Sequence, residues 1–240
     1  MPPLIWVYNN FDYTDSLHWR MVLLSNNTQK TKILLIRHGE CRGNIEGLFR
    51  GRSDFPLNEN GIRQAQCLAE EIANLGPIDF IFTSPLKRAF QTAEIISKKN
   101  GDVPVTPLQG FTNISLGPWE GRKKAEIMQE YPEEWALWIN CPERLKLPNS
   151  ESIPDVQRRA YSTLEFLVQK YAGKTFAIVS HRAVLKPLIA ACLQIADPYF
   201  WRIHVDTASY SIMMYEEERG YCLTLLNQTK HLANFTSEWI

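Results

Sequence analysis

Short β-branched runs alternate along this chain with longer stretches whose apolar residues recur every three or four positions. Residues 32–36 (KILLI) form a continuous apolar run of strand length, which ends at Arg37-His38-Gly39-Glu40. The next stretch holds Gly43, Gly47, Gly51 and Pro56 and reads as a loop. Asn58-Glu59-Asn60-Gly61 then opens a predicted helix, with Ile62, Ala65, Leu68, Ala69 and Ile72 at helical spacing and Gly76-Pro77 as its stop. Residues 80–82 read as a second buried strand leading into Thr83-Ser84-Pro85, and Pro85 suits the first turn of a helix predicted over 86–99. A short third strand is expected at 103–105, then a loop rich in glycine and proline over 107–121. Helical spacing returns over 123–140, broken near Pro132, and again over 153–171. Residues 175–179 form a strand ending at Ser180-His181, and a helix is expected from 183 to the neighbourhood of 196. Two alternating runs, 208–214 and 221–226, predict a hairpin at the edge of the sheet.

Strands alternating with helices predict an α/β fold, three layers α/β/α around a largely parallel, mixed sheet. A length of 240 residues suits one well-cored domain and is marginal for two. With no repeat or linker, the expectation is one domain over 31–240 preceded by an extension over 1–30. That extension is rich in aromatics (Trp6, Tyr8, Phe11, Tyr13, Trp19), unlike an ordinary solvated tail. Its simplest reading is a segment with no catalytic role; packing on the domain or on a second subunit is the alternative. Pro2 and Pro3 stand where a basic leader region would begin, so no secretory signal is expected, and no stretch has the length of a membrane span.

Charge changes the picture little overall and much locally. Lysine plus arginine equals aspartate plus glutamate at 26 each, so no net field draws nucleic acid or an anionic membrane. An anion site must be a local cluster. The five cysteines are scattered and show no C-x-x-C pair, which argues against a disulfide framework or zinc site and fits a reducing, cytoplasmic setting.

Two strands end in histidine, His38 and His181. In open α/β sheets ligands gather beyond the carboxyl ends of strands, so both could face one pocket. Arg37 and Arg88 could supply guanidinium forks for an oxyanion, Asn44 an amide donor, and the helix start after His181 further N–H groups. Such a site suits a dianion and has no carboxylates to hold Mg²⁺, so neither metal nor other cofactor is expected. Each residue also has a plainer reading. His38 and His181 could be structural, and Arg88 could be a surface arginine paired with Glu94 or Asp79. Trp119, Trp135 and Trp138 fit core or lid packing better than specificity contacts. His18, His204 and His231 fall outside these motifs.

RHGE at 37–40, Asn44, GRSDFPLNENGIRQA at 51–65, TSPLKRAFQTA at 83–93, GPWEG at 117–121 and VSH at 179–181 occur in one order. Together they resemble the histidine phosphatase superfamily, also called phosphoglycerate mutase-like, over roughly residues 32–226. The segments 131–138, ASYSIMMYEEE and HLANF are similar to its metal-independent phosphoserine phosphatase branch. The resemblance implies that His38 attacks phosphorus and becomes a phosphohistidine, which water then hydrolyses. It also implies that Arg37, Arg88 and His181, helped by Asn44 and Gly39, surround the phosphoryl oxygens. A neutral imidazole is a competent nucleophile near neutral pH, and fixed cations stabilise the spreading phosphoryl charge.

Two positions depart from the pattern. Family members usually carry an acid glutamate just before the G-x-W-E-G stretch, and alignment on GPWEG puts Asn113 there. An amide delivers no proton. Glu120 or water could replace it, the substrate could have a good leaving group, or the residue could have been changed by design. Arg182 stands where many relatives have a small residue, and it either lines the pocket mouth, favouring a substrate with an extra negative group, or faces solvent. Some relatives carry a substrate-side histidine where this chain has Leu116, so phosphoserine is one candidate among small phosphorylated acids and sugar phosphates. The implied activity is a phosphomonoesterase acting on a small phosphorylated metabolite. The alternatives are a mutase-type phosphotransferase and a weakened phospho-ligand binder. A homodimer, through edge strands or the extension, is compatible with the sequence.

Overall fold

A computed structural model describes residues 30–233. The expected extension over 1–30 therefore lies, Lys30 apart, outside the described residues. The chain runs through β1 (Thr31–Arg37), a one-turn helix α1 (Arg42–Ile45), α2 (Glu59–Asn74), β2 (Phe80–Thr83), α3 (Lys87–Lys99) and β3 (Val105–Pro107). It continues through α4 (Lys124–Glu130), α5 (Pro132–Asn140), α6 (Ile153–Lys170), β4 (Thr175–Ser180), α7 (Arg182–Cys192), β5 (Tyr210–Glu216) and β6 (Gly220–Gln228).

The six strands lie in the order β3-β2-β4-β1-β5-β6. The first four are mutually parallel, and β5 and β6 add an antiparallel edge. Alternating side chains of β1 explain its unbroken apolar run. Ile33 and Leu35 join the core under α6 and α7, whereas Leu34 and Ile36 join the core under α2 and α3. All four are at most 1% exposed, as a strand covered on both faces requires. Each such side chain contributes about 1.5–3 kcal/mol of burial. Helix starts are fixed by side-chain caps: Asn58 accepts from the Gly61 N–H at 2.7 Å, and Ser152 and Asp155 form a capping box on α6. Each cap is worth about 1 kcal/mol.

This layering places the site. After β1 the chain leaves for the α2 face, and after neighbouring β4 it leaves for the α7 face. The divergence opens a crevice beyond the carboxyl ends of the two strands. Arg37 is in register with Ser180, and the His38 N–H donates to the Ser180 carbonyl at 3.0 Å. The two strand-end histidines thus leave the sheet side by side.

Several boundaries differ from the sequence reading, among them the first hairpin strand, which is Tyr210–Glu216 and not 208–214 because Ala208 (φ 51°) turns the chain. The third strand is Val105–Pro107, not 103–105, because Asp102 (φ 57°) turns the chain and Val103 is buried in the core ahead of the pairing. Pro85 precedes the N-cap, Leu86, so it closes the entry loop instead of opening the helix. The helix after His181 starts at Arg182 and stops at Cys192, since Gln194 (φ 54°) adopts the left-handed conformation without a glycine to announce it.

The loop after β1 crosses the first turn of α2 backbone to backbone. A Cβ on Gly61 would sit 2.0 Å from the Glu40 carbonyl oxygen, and one on Gly39 would sit 2.5 Å from that of Gly61. Gly61→Ala is therefore expected to destabilise the fold by about 1–3 kcal/mol, the usual cost of overpacking. A lower urea midpoint at unchanged slope would show it, and an unchanged midpoint would refute the rigid contact.

Candidate active site

His38 is buried, with its Nδ1 2.7 Å from the Gly39 carbonyl. A carbonyl only accepts, so Nδ1 carries the proton and Nε2 keeps its lone pair. The Gly39 N–H donates to Thr92 Oγ1, whose hydroxyl in turn donates to the Arg88 carbonyl. The histidine's orientation is thereby tied to α3. His181 lies with its ring centroid 5.1 Å from that of His38. Its Nε2 is 2.8 Å from Ser84 Oγ, and that oxygen also accepts from the Leu86 N–H.

Arg37 and Arg88 are fully buried behind the histidines. Arg37 donates to the Val205 carbonyl, and Arg88 to the carbonyls of Ser53 and Gly51 at 2.9 and 3.0 Å. Carbonyl partners satisfy N–H groups without cancelling the charge. Burial, then the Arg88, Arg37 and Arg50 charges, hold the His38 pKa well below the usual histidine range. Burial, Arg88 and His38 do the same for His181. Arg88 itself is brought down, chiefly by burial, to about 10 and stays charged at neutral pH. Arg88 Nε and His181 Nδ1 are buried with no hydrogen-bond partner among the described residues. Buried polar atoms without partners beside a buried guanidinium suit a ligand with oxygen atoms to offer.

In front of this group lies a narrow cleft with room for about 40 Å³ of enclosed volume. Its polar lining comprises His38, His181, Arg50, Lys124, Arg182 and Asn113, and its apolar lining includes Leu48, Phe49, Ile114, Leu116, Trp138 and Phe200. Among the described residues no cluster of three or more His, Cys, Asp or Glu side chains could hold a metal ion. No helix among them is long and apolar enough to cross a membrane.

Residues 33–228 match the histidine phosphatase superfamily, branch 1. The chain belongs to that superfamily. It is 35% identical over 208 residues to phosphoserine phosphatase 1 of Hydrogenobacter thermophilus, covering 86% of this chain and 97% of that protein. Over 180 residues it is 30% identical to the adenosylcobalamin/alpha-ribazole phosphatase of Escherichia coli, covering 75% and 88%. Among solved structures, Bacillus stearothermophilus YhfR aligns with a TM-score of 0.79 at 29% identity, over 84% of this chain and 98% of that one. Phosphoserine phosphatase from Entamoeba histolytica, in complex with 3-phosphoglyceric acid, aligns at 0.73 and 31% identity over 84% and 99%. The phosphoglycerate mutase-like fold follows, and this histidine phosphatase is an enzyme of the phosphatase type acting on phosphorylated small molecules.

The fold brings together most of the residues expected from sequence. Arg88 is no surface arginine: it is fully buried and donates to the carbonyls of Ser53 and Gly51, while Asp79 pairs with Lys174 at 3.5 Å. Arg182 lines the cleft and lies 5.5 Å over the Trp201 ring, which decides between pocket and solvent. Asn113 lines the cleft too, with Nδ2 donating to the Gly51 carbonyl at 2.8 Å and Oδ1 buried without a partner among the described residues. Asn44 is not among the cleft-lining residues; its Oδ1 accepts from the Cys41 N–H in the first turn of α1. Glu120 is not among the cleft-lining residues, and its Oε1 is engaged by the Leu116 N–H at 2.8 Å. Trp138 combines core packing with the cleft wall. His204 pairs with Asp206, and His231 meets the Ala208 carbonyl. His18 lies outside the described residues. Sequence reasoning missed Arg50, Lys124 and Ser84. Arg50 stands one residue before a quoted motif and Ser84 inside one, whereas nothing local distinguishes Lys124 from other exposed lysines.

Because burial and guanidinium charge disfavour the imidazolium, both histidines remain neutral as pH falls through 6.5. The acid limb of kcat/KM, corrected for ionisation of the substrate, is expected below the ordinary histidine range. An acid limb at 6.5 or above would contradict the site's electrostatics. The sign for stability is opposite. The unfolded chain takes up protons first, so stability falls as pH drops below 6.5, and His38→Asn flattens that fall in thermal melts.

Proposed function

We propose that the 31–240 region is a metal-independent phosphomonoesterase domain acting on a small phosphorylated metabolite through a phosphohistidine at His38. The observation that carries this reading is the Nδ1–H bond to Gly39, which leaves Nε2 as a lone pair beside Arg37, Arg50, Arg88 and His181. Nε2 attacks phosphorus, the ester P–O bond breaks, and its electron pair leaves on the ester oxygen. Water then attacks the phosphohistidine, the N–P bond breaks, and phosphate departs. The three guanidinium groups stabilise the equatorial oxygens in both steps. Ser84 donates its hydroxyl proton to His181 Nε2, which leaves Nδ1 as an N–H donor to a phosphoryl oxygen.

Asn113 stands where a leaving-group acid would act and has no proton to give. Loss of such an acid costs about 10²–10⁴-fold on poor leaving groups. This favours substrates whose leaving oxygen needs little help. The same observation supports the second reading, a phospho-ligand binder that turns over slowly. Arg182 and Lys124 in the cleft favour a substrate with an additional negative group, in keeping with the phosphoserine and 3-phosphoglyceric acid named for its relatives.

Phosphate release measured with EDTA present, from an aryl phosphate and a panel of alkyl phosphates, tests the scheme. The aryl ester is expected to be cleaved, and His38→Ala to fall to background. Asn113→Glu should gain about 10²-fold on alkyl esters and little on the aryl ester. Equal, negligible turnover by the parent and His38→Ala would reject the hydrolase and leave the binder. In a separate series, Arg182→Ala is expected to raise KM about tenfold for carboxylated phosphomonoesters relative to neutral ones. An equal effect on both would remove Arg182 from substrate recognition.

A further inference from the structure

One buried carboxylate has no part in the phosphoryl chemistry. Glu143, in the short turn Pro142–Arg144 after α5, is 5% exposed. Its Oε1 accepts from the backbone N–H groups of both Tyr199 and Phe200, each at 2.8 Å. Its Oε2 has no hydrogen-bond partner among the described residues. A carboxylate held in the interior by two consecutive N–H groups fixes the path of the backbone that donates them.

That backbone carries the aromatic wall of the cleft. Phe200 lines the cleft opposite the histidines, and its ring centroid is 5.4 Å from that of Trp138. Trp201 donates from Nε1 to the Trp138 carbonyl at 2.8 Å, a second tie between the same two segments. Lys186 lies 4.7 Å from both the Phe200 and the Trp201 rings, and Arg182 stacks on Trp201. Glu143 itself is not among the cleft-lining residues. The phosphoryl cations Arg37 and Arg88 belong to β1 and α3, neither of which Glu143 touches.

We propose that Glu143 is a positioning residue for the organic half of the substrate, holding Phe200 and Trp138 as one wall while leaving the phosphoryl centre untouched. This rests on the reading of the cleft as a phosphomonoester site, and it separates two affinities that a common site would otherwise couple. An inorganic oxyanion reports only the centre. An organic phosphonate, which carries a body but cannot be hydrolysed, reports the centre and the wall together.

Calorimetric titration with inorganic phosphate and with phenylphosphonate, on the parent, Glu143→Ala and Glu143→Gln, makes the test. Glu143→Ala is expected to weaken phenylphosphonate about tenfold and to leave phosphate within about twofold. Glu143→Gln keeps an oxygen acceptor and should recover most of the loss. Trp201→Phe, which removes the second tie and keeps an aromatic ring beneath Arg182, should give a smaller loss in the same direction, and it carries the test if Glu143→Ala does not fold. Unchanged phenylphosphonate affinity, or a parallel loss of both ligands, overturns the proposal. A parent that binds both ligands yet hydrolyses no ester defeats the hydrolase reading alone. A parent that binds neither defeats both.

Discussion

The carbonyl of Gly51 is the point on which the site depends. It accepts from Arg88 and from Asn113, so one backbone oxygen holds both a buried cation and the residue at the acid position. The path of the loop permits this because Gly51 adopts φ 47° and because a Cβ there would meet the Glu120 carboxyl group at 2.5 Å. Glu120 in turn holds the Leu116 N–H, which keeps the apolar side of the cleft in place. Had a carboxylate met Arg88 instead, the charge would be cancelled. A carbonyl satisfies the N–H groups and leaves the field intact.

That field accounts for much of the chemistry. Burial and the nearby guanidinium groups, with Arg88 held by carbonyls, depress the pKa values of both histidines and favour an anion at the site. Unmatched buried donors and depressed ionisations are costly in an empty protein. The sheet tolerates them because it is packed on both faces by two large apolar cores.

The two sides of the cleft are built differently. The phosphoryl side is built from strand ends and helix starts, where register and main-chain hydrogen bonds leave little freedom. The opposite side is built from loops and the short helices α4 and α5, tied together by single side chains such as Glu143, Trp201 and Glu151. Glu151 illustrates the method: it accepts from the Ser115 N–H and binds Arg159, which also donates to the Asn113 carbonyl.

The order of strands and helices, the two histidines at strand ends and the identity of Arg37 and Arg88 were legible in the sequence. These features depend on periodicity and on short motifs, and both are local properties. A local signal also fixed the start of α2, through Asn58. Such signals failed where a non-glycine residue turned the chain, at Asp102 and Gln194, because a left-handed backbone at such residues leaves no compositional trace. Arg50, Lys124 and Ser84 were not legible as site residues. Their roles arise from which carbonyls and rings stand near them, and those neighbours come from distant parts of the chain. The same holds for Arg182, whose direction was open until Trp201 was placed beneath it. Sequence determined which chemical groups the chain carries and which elements present them. Only tertiary packing decided which charges remain uncancelled, because that depends on whether each buried cation meets a carbonyl or a carboxylate.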